Sequence, residues 1–445
     1  MKNYINIGKK LFPIHRSLTG KGNIKSLKIL KKDIKNLKIK NYKSGEKVFD
    51  WKIPYEWNVK QAYVKDKYGK KLIDLSLNNL HLVSYSVPIN KNIKKKELLK
   101  HLHFYKKQKN AIPYVTSFYK KYWGFCLTYI NFLKIKKNYS DNDNFIVKID
   151  SKFKKNGKLT FGELFIKGRE KKEILITCNI CHPSMANNEL SGPLVTSALA
   201  KHFGKIKTNK KSLRFLFLPE TIGAIAYIKK NFKSLKKNVI GGYHITCAGD
   251  NRVYSYLYSK YHDSPSDKAA IKAFKDLKIK LKKYKHIHSE SEARRFNAPN
   301  INFGTGEIMR SKYHSFPEYH TSLDNFNVVT AKGLSGTFKV AKRIIENLME
   351  INTSTFLKWS EKRKIKRGYI KCKTFCEPNL GKRKLYPLIS RKDNSFKEPV
   401  KLLDFLQYAD GTNNLRNISK LVNLSMKKTS NIYKILMKAK VVKKI

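Results

Sequence analysis

The sequence predicts an α/β protein with a mostly parallel sheet covered by helices, a β-rich insertion and a C-terminal winged-helix module. Strand and helix patterns alternate between residues 140 and 350, which is typical of a parallel sheet covered on both faces. Short alternating and aromatic-rich runs, separated by turn signals, fill residues 45–115. Three short helical patterns follow residue 399. The chain therefore divides into three parts that differ in their predicted secondary structure.

The alternating block predicts its elements in order along the chain. Ahead of it, apolar residues recur at helical spacing within residues 23–38 and predict a surface helix. The predicted strands of the block are Glu173–Thr177, Leu213–Leu218, Val239–Cys247 and Ile301–Phe303, and the predicted helices are Leu190–Phe203, Ile222–Phe232, Ala269–Leu277 and Ala331–Ile351. Right-handed crossovers bring the carboxyl ends of such strands to one edge of the sheet, where functional sites usually lie.

The C-terminal part predicts a small helix-turn-helix or winged-helix module. A connection rich in lysine occupies residues 354–398, and helical patterns follow at Lys401–Tyr408, Leu415–Val422 and Lys427–Ala439. Ser425 stands where it would cap the last of these helices.

Composition excludes some classes of protein. The 445 residues carry 95 Lys and Arg against 32 Asp and Glu, a formal charge of +63, yet 41% are hydrophobic and 12% aromatic, which excludes a disordered basic tail. Apolar runs are too short to cross a membrane, and the N-terminus lacks the apolar core of a signal peptide. We therefore expect a soluble, cytoplasmic protein.

The positive charge raises the question of a nucleic-acid partner. Only 13 of the cations are Arg, and the 82 Lys are spread from end to end. Phosphate and base recognition favours the bidentate guanidinium of Arg. The pattern favours a general compositional bias, and a polyanion partner stays open as the alternative.

Six cysteines in so long a chain favour free thiols. Cys178 with Cys181, and Cys372 with Cys376, have spacings that suit a four-thiolate zinc site. The two pairs lie in segments that predict different domains, which disfavours that site.

Polar clusters follow the predicted strands. His182 comes shortly after the first strand, Glu220 after the second and Asp250 after the third, while His320 precedes the last long helix. Histidine and carboxylate ligands that leave a position for water, with a separate carboxylate as general base, are what a zinc hydrolase requires. The alternative is that each is an ordinary structural residue at a strand end.

Longer strings around these residues resemble a known family. The chain resembles aminopeptidase-like proteins with a β-rich lid insertion and a C-terminal winged helix, some of them linked to polysaccharide biosynthesis. The strings are Leu11–Gly20, Ile112–Tyr119, Trp123–Cys126, Cys181–Pro193, Pro219–Tyr227, Cys247–Asp250, Arg310–Tyr313 and Pro317–Asn325. The resemblance implies a fold similar to the zinc exopeptidases, with a catalytic domain at residues 1–44 and 121–352, a lid at 45–120, a linker at 353–398 and a winged helix at 399–445.

The resemblance also implies site residues. His182 and His320 match zinc ligands and Glu220 matches the general base. Asn188 stands where relatives have a bridging Asp, so the resemblance implies one zinc ion rather than two. The third ligand would be a carboxylate, Glu189 as first choice and Asp250 as second.

A second departure concerns the substrate. Ala293 replaces an acidic residue of the relatives, which points to altered specificity or weak activity. Arg294, Arg310 and Tyr319 are the candidate substrate-binding residues, and both arginines are alternatively ordinary charges at the edge of the sheet.

The function predicted from these observations is zinc-dependent hydrolysis of a small peptide, amide or modified-sugar substrate. Two alternatives stay open. One is a degenerate member that binds such a ligand without turnover, and the other is a nucleic-acid-associated protein that acts through its C-terminal module.

Overall fold

A computed structural model describes residues 1–390 and 397–445. The helices are α1 Lys2–Leu11, α2 Lys21–Asp33, α3 Lys95–Leu98, α4 Tyr129–Asn138, α5 Ser191–Gly204, α6 Ile222–Asn238, α7 Pro265–Asp276, α8 Glu292–Phe296, α9 Ala331–Glu350, α10 Thr353–Glu361, α11 Lys397–Tyr408, α12 Leu415–Leu421 and α13 Met426–Lys438.

The strands from the N-terminus to the middle of the chain are β1 Lys38–Lys43, β2 Lys47–Val48, β3 Trp51–Lys52, β4 Glu56–Lys65, β5 Lys71–Asp74, β6 Ile89–Lys94, β7 Leu102–His103, β8 Phe125–Cys126 and β9 Asn144–Lys154. The remaining strands are β10 Lys158–Ile166, β11 Gly168–Asn179, β12 Asn209–Leu218, β13 Val239–Ile245, β14 Tyr254–Leu257, β15 Leu281–Tyr284, β16 Thr305–Met309, β17 Ile370–Cys372 and β18 Val442–Lys444.

The main sheet has eight strands in the order β1-β10-β12-β11-β13-β16-β14-β15. Its centre is parallel, since β11 pairs in parallel with β12 and β13, and β13 pairs in parallel with β16. The strands β1 and β10 add antiparallel pairings at one edge, and β14 is antiparallel to β16. The predicted α/β fold with a mostly parallel sheet is confirmed.

Both faces of the central strands are buried. On β11, Ile174 and Ile176 pack into the core that contains α1, α2, α5, α7 and α9. The alternate residue Leu175 packs on the other face with α6 and the smaller sheet. This explains the unbroken apolar runs in the sequence, because a strand covered on both faces needs apolar residues at every position.

The β-rich insertion forms a four-stranded antiparallel sheet in the order β5-β4-β9-β6. Its strand β9 lies in the segment that the sequence analysis gave to the catalytic domain, because β9 pairs along its length with β4 and β6. The segment between β7 and β8 reaches the loop after β16, where the backbone N–H of Tyr114 donates to the carbonyl of His320 at 2.9 Å.

The C-terminal winged-helix module comprises β17, α11, α12, α13 and β18, with β17 antiparallel to β18. Ser425 caps α13 as predicted, since its hydroxyl accepts a hydrogen bond from the backbone N–H of Lys428 at 3.4 Å. The module begins with a strand inside the predicted linker, because β17 completes the sheet with the final strand of the chain.

One predicted strand is wrong. Residues 301–303 form a turn and irregular backbone, and the strand of this region is β16, Thr305–Met309. Asn302 and Gly304 both have positive φ values, 49° and 63°, which end an extended run.

Two expectations from composition can be compared with the described residues. All six cysteines are buried free thiols. Among residues 1–390 and 397–445, no helix combines the length and apolar character that crossing a membrane requires.

The first turn of α9 packs against the loop that follows β13. Thr330 caps this helix, its hydroxyl accepting from the backbone N–H of Gly333 at 2.9 Å. A Cβ added to Gly333 would lie 1.9 Å from the carbonyl oxygen of Gly249. No side chain fits there without movement of backbone.

We therefore expect Gly333→Ala to lower the free energy of unfolding by about 2–3 kcal/mol, because the methyl group forces the helix away from the loop. Ser335→Ala, at an exposed position of the same helix, is the control and should change stability by less than about 0.5 kcal/mol. Chemical denaturation measures both, and equal stability of the two variants would contradict the close contact.

Candidate active site

The site lies at the carboxyl ends of β11 and β12. These strands pair in parallel up to Asn179 and Leu218, and the backbone N–H of Ile180 donates to the carbonyl of Leu218 at 2.9 Å. His182 and Glu220 follow directly, so the register of the sheet brings them together. The Nε2 atom of His182 lies 3.4 Å from a carboxylate oxygen of Glu220.

His182 is held on its other side by Glu189. A carboxylate oxygen of Glu189 lies 2.8 Å from Nδ1 of His182, and the glutamate side chain is fully buried. Its second oxygen accepts hydrogen bonds from the backbone N–H groups of Cys181 and His182. Glu189 is the first-choice carboxylate ligand that the resemblance implies, and in the structure it lies against the nitrogen of His182 that points away from Glu220.

These contacts set the charge states of the pair. Burial alone would lower the pKa of His182, but the Glu189 carboxylate raises it well above its usual value. Burial opposes ionisation of Glu189 as well, yet His182 and the two backbone N–H groups lower its pKa. The buried pair therefore favours a charged carboxylate against the imidazole.

Glu189 belongs to the short π-helical segment Ala186–Leu190, which opens directly into α5. Asp324 holds this segment, since its carboxylate accepts from the backbone N–H of Asn187 at 2.7 Å and of Asn188 at 2.8 Å. Because Asp324 lies four residues after His320, this contact joins the His320 loop to the turn that carries Glu189.

His320 faces the same space as His182. The two imidazole rings have centroids 5.6 Å apart, and the ring of Tyr114 lies 5.0 Å from the first and 5.3 Å from the second. Tyr319 stacks on His320 with centroids 3.9 Å apart. The structure therefore brings together His182, His320, Glu220 and Tyr319 from the predicted residues.

A cavity of about 810 Å³ contains these four residues. The insertion contributes Trp51 and Tyr114 to its lining, and Glu290, Arg295, Lys312 and His314 add charged or titratable groups. His314 and Glu290 contact each other, with His314 Nε2 3.0 Å from a carboxylate oxygen. Burial raises the pKa of Glu220 in this cavity above its usual value, although His182 and Arg295 lower it.

Three predicted residues lie elsewhere. The oxygens of Asp250 accept hydrogen bonds from Asn187 and from the backbone and hydroxyl of Ser311, each at 3.0 Å. Arg310 lies over the ring of Tyr254, with its guanidinium carbon 3.6 Å from the centroid. Neither residue lines the cavity.

Arg294 is the third, and it joins domains. Its buried guanidinium contacts Glu377 at 3.0 Å and Asp404 of α11 at 3.1 Å. The neighbouring Arg295 is the arginine that lines the cavity, and it also contacts Glu377 at 3.3 Å. Helix α8 directs these adjacent side chains differently, which the sequence did not reveal.

Arg16 and Tyr114 also belong to the site, although no local pattern in the sequence assigns them a role and only the strings that carry the resemblance contain them. Arg16 is fully buried and donates through Nε to the carbonyl of His182 at 3.1 Å. Their position in long family-like strings was the available signal. Only the fold shows that these distant segments meet at His182.

Potential metal ligands cluster at one place among the described residues. Cys181, His182 and Glu189 have ligand atoms within 4.8 Å of one another, and no second group of three or more such residues occurs there. The four-thiolate zinc site that the cysteine spacing suggested is therefore absent from the described part of the chain.

Comparison with protein-family models gives two matches. A model described as "Domain of unknown function (DUF4910)" matches residues 5–352, and a "winged helix-turn-helix" model matches residues 367–444.

Relatives match almost the whole chain. A "Putative polysaccharide biosynthesis protein with aminopeptidase-like domain" from Clostridium acetobutylicum is 39% identical over 414 residues, which are 93% of this chain and 90% of the relative. The crystal structure of a "putative peptidase" from the same organism is 35% identical, covers 100% of this chain and 96% of its own, and has a TM-score of 0.74. BSAP, a zinc aminopeptidase from Bacillus subtilis, shares the fold at 11% identity, with a TM-score of 0.58 over 77% of this chain and 94% of its own.

The Arg294 contacts generate a stability prediction. We expect Arg294→Met to lower the free energy of unfolding by about 3–5 kcal/mol at neutral pH, because Asp404 would keep a buried charge without the cation it contacts and Glu377 would be left with Arg295 alone. Burial already raises the pKa of Asp404 to about 6 with Arg294 present. The pKa rises above this value without Arg294, so the variant's carboxyl takes up a proton at a pH where the parent's is still ionised, and the deficit should shrink as the pH falls toward about 6 and then level off.

Arg343→Met is the matched control, since Arg343 contacts Asp276 at the surface, at 3.0 Å. Its cost should stay below about 1 kcal/mol. Thermal and denaturant unfolding from pH 5 to pH 8 compares the variants, and a deficit for Arg294→Met that does not depend on pH would contradict this account.

Proposed function

The chain belongs to the DUF4910 family of aminopeptidase-like proteins, and we propose that it is a zinc-dependent hydrolase of peptide or amide bonds. The observation that carries the proposal is the meeting of His182, His320 and Glu220 in one cavity at the carboxyl ends of parallel strands. The zinc aminopeptidase from Bacillus subtilis, which has the same fold, supports it.

The residues present fit one ion better than two. The imidazoles of His182 and His320, with centroids 5.6 Å apart, are suited to share one ion in the cavity. Asn188 replaces the carboxylate that would bridge a second ion, and its amide lies near the sulfur of Met185 at 3.7 Å. Zinc bound here would polarise the scissile carbonyl and lower the pKa of a bound water.

We assign Glu189 to positioning rather than to the ligand set. Its contact with Nδ1 orients the imidazole and makes it more basic, so that Nε2 faces the cavity. The second-choice ligand Asp250 is left out of the proposed site, because Asn187 and Ser311 occupy its oxygens.

Glu220 is the proposed general base. Its carboxylate, about 30% exposed, lies beside Nε2 of His182 and opens to the cavity. From there it takes a proton from the attacking water and returns it to the leaving amine. Tyr319 and Tyr114 fix the two imidazoles by ring contacts, and Arg295 supplies a positive charge in the same cavity.

We expect the purified protein to bind about one zinc per chain, and Glu220→Gln to lower kcat on dipeptides by about 10²–10⁴-fold while keeping its zinc. Two histidine ligands hold an ion less firmly than three, so a chelator should remove both zinc and activity, and added zinc should restore them. Metal analysis and dipeptide hydrolysis measure these outcomes.

Glu361→Gln, an exposed glutamate of α10, is the control and should leave kcat unchanged. Full turnover by Glu220→Gln would refute its role as the base. Ligand binding without any zinc-dependent hydrolysis in the wild type would instead establish the non-catalytic alternative.

Nucleic-acid binding is a second candidate function, favoured by the exposed lysines of α13. Lys427, Lys428, Lys434 and Lys438 all lie on its solvent side. If this face contacts phosphates, changing Lys427 and Lys428 to Glu should weaken binding of duplex DNA and reduce the slope of log K against log salt by about two. Fluorescence anisotropy at several salt concentrations, with Lys358→Glu of α10 as control, measures this, and an unchanged slope would remove the candidate.

A further inference from the structure

The winged-helix module lines part of the cavity that contains the proposed catalytic residues. Leu403 and Asp404 of α11, and Val422 and Leu424 at the turn between α12 and α13, line the same cavity as His182, Glu220 and His320. The catalytic domain and its insertion do not form this cavity alone. A volume of about 810 Å³ suits a whole small ligand rather than a single side chain.

The module is held firmly in this place. Besides the contacts of Arg294, the fully buried ammonium group of Lys260 lies 3.3 Å from a carboxylate oxygen of Asp410, and the Tyr261 hydroxyl donates to the same carboxylate at 2.8 Å. The Tyr408 hydroxyl donates to the backbone carbonyl of Lys260 at 3.1 Å. Buried ionic contacts of this kind favour one relative arrangement, since a shifted packing of the two domains would leave a buried charge without its partner.

The module adds an apolar surface to the lining beside its charged residues Glu398, Lys401 and Asp404. Its charged lining residues have partners within the structure, because Asp404 contacts Arg294 and Lys401 contacts Glu398. Leu403, Val422 and Leu424 are left to contact a ligand, and Leu388 of the preceding segment adds to this apolar surface.

The catalytic domain provides the polar part of the same cavity. Glu220, Glu290, Arg295 and Lys312 line it near the two imidazoles. A ligand that fills the cavity therefore meets these polar groups of the catalytic domain together with the apolar side chains Leu403, Val422 and Leu424 of the module.

We infer that the winged-helix module forms part of the substrate site and selects an amide substrate with an apolar group that packs on Leu403, Val422 and Leu424. For turnover, this inference rests on the proposed function. It gives the module a role in specificity that needs no nucleic acid. It also explains the buried ionic contacts, because a specificity surface must keep a fixed distance from the reacting groups.

Binding of dipeptides tests the inference without turnover. The background is the zinc-loaded, full-length Glu220→Gln protein, and calorimetry measures Kd for Gly-Gly, Phe-Gly and Gly-Phe. We expect at least one phenylalanine dipeptide to bind more tightly than Gly-Gly. Leu403→Ala and Leu424→Ala should weaken that dipeptide about tenfold and leave Gly-Gly unchanged, as expected from lost apolar contact area.

The Leu403→Phe variant distinguishes a lost ligand contact from a general loss of packing in the module. Phenylalanine keeps the side chain apolar and fills part of the cavity. The variant should also weaken the phenylalanine dipeptide while its melting temperature stays near that of the parent protein. Met437→Ala is the control, since Met437 is an exposed residue of α13 outside the cavity lining and should change no Kd.

Several results would overturn the inference. These are equal affinity for all three dipeptides, no binding of any of them, or an equal loss for Gly-Gly and the phenylalanine dipeptide in the leucine variants. Hydrolysis by the wild type is measured separately. If the Leu403 variants weaken binding of the phenylalanine dipeptide but the wild type hydrolyses nothing, the proposed function alone is refuted. If the wild type hydrolyses dipeptides but the Leu403 variants bind them normally, the inference alone is refuted.

Discussion

The site depends on the parallel register of two strands. Because β11 and β12 pair up to Asn179 and Leu218, the chain leaves the sheet at two adjacent points, and His182 and Glu220 are the polar residues that follow. A shift of the register by one residue would reverse the faces of every side chain on the strand and separate the imidazole from the carboxylate. The apolar residues on both faces of β11 and β12 prevent such a shift, since each already lies in a packed core. Packing of the sheet thus fixes the distance between the proposed ligand and the proposed base.

Around this pair, buried polar groups join segments that are distant in sequence. Arg16 contacts the carbonyl of His182, Glu189 contacts its Nδ1, and Asp324 ties the His320 loop to the segment that carries Glu189. Each contact satisfies a group whose burial would otherwise cost free energy. Such a network holds the imidazole of His182 and the loop that carries His320 in fixed positions.

Acidic residues are scarce in this chain, and several of the buried ones form contacts between domains. With 32 acids against 95 Lys and Arg, the chain has cations in excess, and several acids lie where domains meet. Glu377 and Asp404 contact Arg294, and Asp410 contacts Lys260. The high positive charge therefore does not by itself indicate a nucleic-acid partner. At these contacts between domains, the three carboxylates face buried cations.

Local pattern alone determined much of this protein. Apolar runs and helical periodicity predicted strands and helices of the central sheet. The alternation of strands and helices predicted that the polar residues would meet at one edge of that sheet, and Ser425 marked the start of its helix. These features depend on residues close together in the chain or on the general geometry of parallel sheets. Family-like strings added His182, His320 and Glu220 as a set.

Only the tertiary structure decided the rest. It brought Glu189 to Nδ1 of His182, paired Asp250 with Ser311 and placed Arg294 between two domains. It also paired β9 with the strands of the smaller sheet and added winged-helix residues to the lining of the cavity. Glu377 and Asp404 lie 83 and 110 residues from Arg294 in sequence. Contacts over such separations depend on how whole elements pack, and the free energy of burying a charge is decided by partners that no local pattern identifies.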